Sequence, residues 1–327
     1  MSSRKDMNID RKKILVTGAV GQIGTVLTPA LRDRYGAENV VAAGHHTKPS
    51  DEFRNAGPFE TADATDKKSL WALIEKHNIG AVYHLATILS GEGEKYPDRA
   101  WHVNIGSLKV VLDLAVEFRM SQVFWPSSIA VFGPTTPRID TPQRTILEPT
   151  TMYGVTKIAG ENLCNYYFLK HGLDVRSVRY PGLISYEAFS GGGTSDYSCE
   201  IFINAVKYGH YTFFVNAETA MPLMYMDDAI RATIQLIETK ASNISIRTSY
   251  NLGALSFTAG ELAEAVSRRV DSFTYNFEPD FRQAIADSWP DSVDDSIARR
   301  DWGWEPQYNL ETVVDAMLKG IRTARCS

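Results

Sequence analysis

Cysteine is scarce: Cys164, Cys199 and Cys326 are the only three in 327 residues, they form no CxxC pair, and their number is odd. That excludes a disulfide framework and points to reduced thiols in an intracellular compartment. No apolar run approaches the ~20 residues needed to span a bilayer, so no membrane partner is expected. The chain also lacks a Lys/Arg stripe, and its net charge is −5. Nothing in it would neutralise a row of phosphates, which argues against nucleic acid. The first thirteen residues carry Arg4, Lys5, Arg11, Lys12 and Lys13 but no apolar core. They read as a polar tail rather than a secretory signal. There is no internal repeat and no low-complexity tract.

What is present is ordinary globular composition, 44% hydrophobic and 22% charged, arranged in a regular rhythm. Short apolar runs at 14–17, 40–43, 81–86 and 122–125 are of the kind buried on both faces of a sheet. Helical stretches are expected between and after them at 22–35, 66–77, 99–118 and 153–170, with a further strand at 174–179. This alternation predicts an α/β fold, a Rossmann-type doubly wound parallel sheet with right-handed crossovers. After Tyr180 the rhythm breaks into a Gly/Ser/Thr-rich loop at 185–198 holding Gly191-Gly192-Gly193. Helices are expected at 227–238 and 310–323, a short strand at 250–252, and a capping box at Thr258-Ala259-Gly260-Glu261. The organisation expected is residues 1–180, joined by 227–252, as a dinucleotide-binding unit. Residues 181–226 and 253–327 would form a smaller C-terminal substrate-binding lobe.

The first strand runs into Gly18-Ala19-Val20-Gly21-Gln22-Ile23-Gly24. Glycines in a tight strand-to-helix turn allow positive φ and let the backbone approach a pyrophosphate, while the helix opening at Gln22 offers free N–H groups and its positive dipole end. An acidic residue is expected after the second strand to bind the adenosine ribose. The run there is Ala43-Gly44-His45-His46-Thr47-Lys48, with no carboxylate before Asp51. His45, His46 and Lys48 would tolerate a 2′-phosphate, but surface-loop residues are the preferred reading. Asp63, after the third strand, is placed either for the adenine or for a helix N-terminus. His84-Leu85-Ala86-Thr87 ends the fourth strand, where the chain would pass under the nicotinamide ribose, and His84 reads as a satisfied core residue.

Ser127-Ser128 ends another apolar run, and Tyr153-Gly154-Val155-Thr156-Lys157 opens the helix after it. Tyrosine, with a pKa near 10, is a poor base at neutral pH. Lys157, one helical turn on, and an oxidised nicotinamide are expected to lower it. Tyr153 would then take a hydroxyl proton while hydride leaves the same carbon, with Ser128 holding the oxygen and Ser127 as the spare. Tyr166-Tyr167-Phe168-Leu169-Lys170 is a second YxxxK. It has no serine-bearing strand upstream, and Tyr166 is assigned to packing.

Together, these motifs and the Asp301-Trp302-Gly303-Trp304 ending resemble the extended short-chain dehydrogenases/reductases over essentially the whole chain. Within that group the strings Trp125–Gly133, Arg179–Ser185, Gly191–Tyr197, Met224–Ala229 and Ala286–Pro290 are most similar to the short-chain L-threonine 3-dehydrogenases. The resemblance implies NAD-dependent oxidation of an amino acid, L-threonine, at its 3-hydroxyl to 2-amino-3-ketobutyrate. It implies dinucleotide contacts from Gly18, Gly21, Gln22, Ile23, Gly24 and Asp63. Leu85, Ala86, Tyr153, Lys157 and Tyr180 would complete them. Ser90 and Thr194, with Ser128 and Tyr153, would bind the substrate. Asp196 is a guess for the amino group, with a solvated loop acid the preferred reading. The loop around Gly191–Gly193 is a candidate lid, with Trp289 covering the site. The resemblance also implies a homodimer paired through the helices at 99–118 and 153–170, in cytoplasm or mitochondrial matrix. The alternative is a nucleotide-sugar epimerase or dehydratase of the same family, which would need cations such as Lys207, Arg231 and Arg282 converging on a diphosphate. A regulator that has lost catalysis would be expected to lack Tyr153 or Lys157, and both are present.

Overall fold

A computed structural model describes residues 13–187 and 193–324. Strands β1 (Lys13–Thr17), β2 (Val40–Gly44), β3 (Phe59–Thr61), β4 (Ile79–His84) and β5 (Gln122–Phe124) are joined by helices α1 (Gln22–Tyr35), α2 (Lys67–His77) and α3 (Ser107–Glu117). Beyond them lie β6 (Ser127–Ser128), α4 (Met152–His171), β7 (Val175–Arg176), β8 (Val178–Tyr180) and β9 (Gly182–Ile184). The main sheet has the order β3-β2-β1-β4-β5-β7 and is parallel throughout. Side chains alternate across it: Ile14, Val16, Val40 and Ala42 pack on one face, and Leu15, Val41, Ala43 and Val82 on the other. Both faces are covered, so the strands read as continuous apolar runs. This is the doubly wound Rossmann-type arrangement predicted.

Helix ends follow local chemistry. Asp66 caps α2 through the Lys68 N–H, and Asn78 closes it with a left-handed φ of 55°. Thr151 caps α4 through the Gly154 N–H. Two elements differ from expectation. The helix predicted at 99–118 is a short helix Pro97–Trp101, a π-helical stretch His102–Gly106, and then α3. Buried Asn104 explains the irregularity: it bonds Ile88 N–H and C=O, the Thr87 hydroxyl and the Thr156 hydroxyl, tying the helix to the loop after β4. The strand predicted at 174–179 is divided at Ser177, whose hydroxyl bonds that of Ser249. Its first part edges the main sheet and its second, β8, pairs with β6 and with the strand Tyr250–Asn251.

The remaining chain builds a second core from helix α5 (Tyr197–Tyr208), a two-stranded and a three-stranded sheet, and the helices Ala259–Ser267 and Leu310–Ala324. Tyr197, Phe202, Phe213, Met221, Leu262 and Met317 are buried there. Ser198, predicted in a loop, is in α5, while the Thr258/Glu261 capping box forms as predicted. Gly191 and Gly192, with the lid expected of them, lie outside the described residues, as does the N-terminal tail.

Candidate active site

The carboxyl ends of β1 and β4 open onto a cavity of about 470 Å³ lined by Gly18, Val20, Gly21, Asp63, Leu85 and Ala86, among others. Gly18 has φ +68°, and a Cβ there would meet Ala86 N at 2.7 Å. Gly21, expected to share the positive φ, has φ −84° and serves as the N-cap of α1. Gly24 does not line this cavity. A Cβ on it would stand 2.4 Å from Gly18 O, so it lets the helix close on the turn. The first turn of α1 carries no acidic residue, leaving its positive end free for an anion. The glycine cradle and unopposed helix end therefore fit a dinucleotide pyrophosphate.

Asp63 accepts from both the N–H and the hydroxyl of Thr65 at 2.8 Å. Burial pushes its carboxyl up, but Thr65, His45 and His102 outweigh that and hold it below the usual range. Asp66, not Asp63, caps the helix. His84 is buried between Thr17 and Ser107 hydroxyls, and burial lowers it to about 3, so it is a neutral core residue as predicted. His45 and His46 are exposed residues of the loop after β2, as preferred, and that loop borders the cavity. Arg99 and His102 also line it. Sequence reasoning missed these two: Arg99 is in the short helix Pro97–Trp101 and His102 opens the π-helical turn, a junction with no periodic signature.

Leu85 is shared with a second cavity of about 120 Å³, whose wall includes Gln22, Ile23, Ser128, Tyr153, Lys157 and Tyr180. The extended backbone of β6 sends its two serines apart. Ser127 Oγ donates to buried Glu161 at 2.7 Å, whereas Ser128 hydrogen-bonds Tyr153 and accepts from Ala130 N–H. Lys157 is 2% exposed. Its Nζ donates to Pro126 O at 2.7 Å and lies 5.3 Å from the Tyr153 ring. Burial raises Tyr153 to about 12 despite the Ser128 bond, and lowers Lys157 to about 7. The expected depression of the phenol by Lys157 is thus not present in the protein by itself, because desolvation of both groups dominates. Tyr180 shows its ring to the cavity and turns its hydroxyl away to Thr233 and Ala229. Tyr166 of the second YxxxK is 51% exposed on α4, its ring against Tyr167 and His171; its neighbour Tyr167 is the buried one.

Ser90 and Thr194, both buried, complete the same wall, and Trp289 borders it. Asp196 is buried on that wall too, its Oδ2 accepting from Gly193 N–H at 2.8 Å. It is not the solvated loop acid expected. Among the described residues the only Lys or Arg on this cavity is Lys157. Lys207 lies over Tyr208, Arg231 bonds Asp228, and Arg282 bonds Asp280, so none of the three converges here. No group of three or more metal-ligating side chains occurs among the described residues, nor a helix long and apolar enough to cross a membrane.

Comparison with known proteins agrees with this geometry. Residues 14–253 match the model of the NAD dependent epimerase/dehydratase family. An uncharacterised epimerase/dehydratase of Staphylococcus aureus is 46% identical over 311 residues, covering 95% of this chain and 97% of that protein. The holo form of an L-threonine dehydrogenase from Cupriavidus necator superposes with a TM-score of 0.92 at 50% identity, covering 94% of this chain and 99% of the other. A monomeric L-threonine 3-dehydrogenase from a metagenome, 44% identical, gives a TM-score of 0.91 over 95% and 99% of the two chains. The glycine turn, the serine–tyrosine–lysine wall and the extent of these matches agree: the chain belongs to the NAD dependent epimerase/dehydratase family.

Proposed function

We propose that the protein oxidises L-threonine at its 3-hydroxyl to 2-amino-3-ketobutyrate with NAD. The observation that carries this is the composition of the smaller cavity. It joins Ser128, Tyr153 and Lys157 to Ser90, Thr194 and Asp196, and among the described residues it has no Lys or Arg besides Lys157 to meet a diphosphate. Hydroxyls and backbone N–H groups suit a carboxylate, and a buried Asp196 suits an ammonium. A nucleotide sugar would bring two phosphate charges to a wall without arginine. The L-threonine dehydrogenases among its structural neighbours support the same reading.

In this scheme residues 1–180 and 227–252 hold the dinucleotide, and 181–226 with 253–327 shape the substrate side. NAD, when bound, supplies the hydride acceptor and a positive ring charge beside the phenol. Ser128 holds the substrate oxygen and Tyr153 takes its proton as the C3 hydrogen departs as hydride. Lys157 stands behind the phenol, where its proton favours the phenolate. Gln22, Ile23, Leu85, Ala86 and Tyr180 form the walls that orient the cofactor. The test is to mix protein, NAD and L-threonine and follow reduced-nicotinamide absorbance. Turnover that Tyr153→Phe lowers by about 10²–10⁴-fold is expected. Intact NAD binding without threonine oxidation, alongside conversion of UDP-galactose, overturns the reading.

We further propose a homodimer. Trp101, Val155, Tyr166 and Leu169 are exposed large apolar residues on the helices named for pairing, more than a monomer surface requires.

A further inference from the structure

The adenosine end of the dinucleotide cavity departs from the usual pattern in a way that changes what it can bind. A family member selective for the unphosphorylated ribose normally presents a carboxylate just past the second strand, which accepts from the ribose 2′-hydroxyl and repels a 2′-phosphate. Here β2 ends at Gly44, which has no side chain, and adding one would require Val20 and Phe59 to shift. A Cβ there would stand 2.7 Å from Val20 Cγ2 and 3.1 Å from Phe59 Cζ. The residues that follow, His45 and His46, are exposed on the cavity wall with their rings 3.8 Å apart. Two imidazoles side by side offer N–H donors to an anion.

The lining of this cavity is unbalanced in the same sense. His45, His46, Arg99 and His102 face a single carboxylate, Asp63. Asp63 stands after β3 rather than after β2. One oxygen is occupied by Thr65, and the other lies 3.9 Å from His45 Nδ1, the imidazole nearest it. Arg99 shares charge with Glu92 at 3.6 Å, and Glu92 is not on the wall. The position of the histidine pair is also specific. Val20 and Gly21 belong to the pyrophosphate turn, and Asp63 lies beyond β3. The loop after β2 falls between them, at the corner where the ribose 2′ position must lie.

We propose that this corner is a 2′-phosphate subsite, and that the protein binds NADP as well as NAD, with His45 and His46 as the residues that admit the phosphate. Charge-assisted hydrogen bonds from the two imidazoles replace the repulsion that a carboxylate would impose. The inference concerns the cofactor only and does not depend on L-threonine as substrate.

The test is isothermal titration calorimetry of the full chain with NAD, NADP and 2′,5′-ADP, without any amino acid present. NADP is expected to bind within about tenfold of NAD, and 2′,5′-ADP to compete with it. In a His45→Ala/His46→Ala double variant, the ratio of NADP to NAD affinity is expected to fall by about thirtyfold. The retained NAD binding also reports that the variant is folded. NADP weaker than NAD by more than about a hundredfold in the unaltered protein overturns the proposal. So does good NADP binding whose ratio to NAD is the same in the double variant, since the phosphate would then be held elsewhere.

Discussion

At the scale of single residues the site is defined by what burial does to Tyr153 and Lys157. The lysine is held down to about 7 by desolvation against 10.5 in an exposed chain, although Cys164 and Glu161 pull the other way. The folded state therefore favours the neutral amine, while the unfolded chain keeps its proton up to 10.5. Between those values unfolding takes up a proton, so raising the pH stabilises the fold. Below the lower value the full cost of a buried ammonium is present, at about 1.4 kcal/mol per pKa unit. Lys157→Met is thus expected to be more stable than the parent at pH 6 by a few kcal/mol, with the difference shrinking toward pH 10. Urea unfolding across that range checks it, and a pH-independent difference would contradict it. Ser128, Tyr153 and Lys157 were legible because spacing on one strand and one helix determines their placement. Asp196, Arg99 and His102 were not, because their position depends on packing between distant segments and on a helix irregularity.

Elements show how backbone contacts serve the site. Helix α1 reaches the phosphate turn only because Gly24 has no side chain; a Cβ would sit 2.4 Å from Gly18 O and 2.7 Å from Ala19 Cα. Gly24→Ala is expected to displace the helix end, lowering stability by ~1–3 kcal/mol and weakening NAD binding together. By contrast Thr258→Ala, in a capping box on a helix remote from the cavity, should cost ~1 kcal/mol of stability and leave NAD affinity unchanged. Denaturant titration and calorimetry on both variants separate the two effects, and unchanged NAD affinity in Gly24→Ala would contradict the first. Helices with clear caps, such as α1 and α2, were readable to within a residue. The π-helical turn at 102–106 and the break at Ser177 were not, since Asn104 and Ser177 act through partners far along the chain.

For the whole molecule, the alternation of apolar runs and amphipathic stretches was enough to predict the parallel sheet. Strand order and the course of the second lobe depend on long-range pairing that no local pattern encodes. One consequence is the exposed apolar set Trp101, Val155, Tyr166 and Leu169. Sedimentation is expected to report twice the 36.4 kDa chain mass, and Leu169→Lys to shift the balance toward monomer. A single-chain mass for the unaltered protein would remove the dimer and place it beside its monomeric relative. The proposed reaction moves hydride from C3 of L-threonine to NAD while Tyr153 takes the hydroxyl proton. The most direct measurement uses L-threonine deuterated at C3 and mass analysis of the reduced cofactor. One deuterium per reduced nicotinamide, lost together with turnover in Tyr153→Phe, is the result predicted. Reduced cofactor free of deuterium, or formed equally well by the phenylalanine variant, would contradict it.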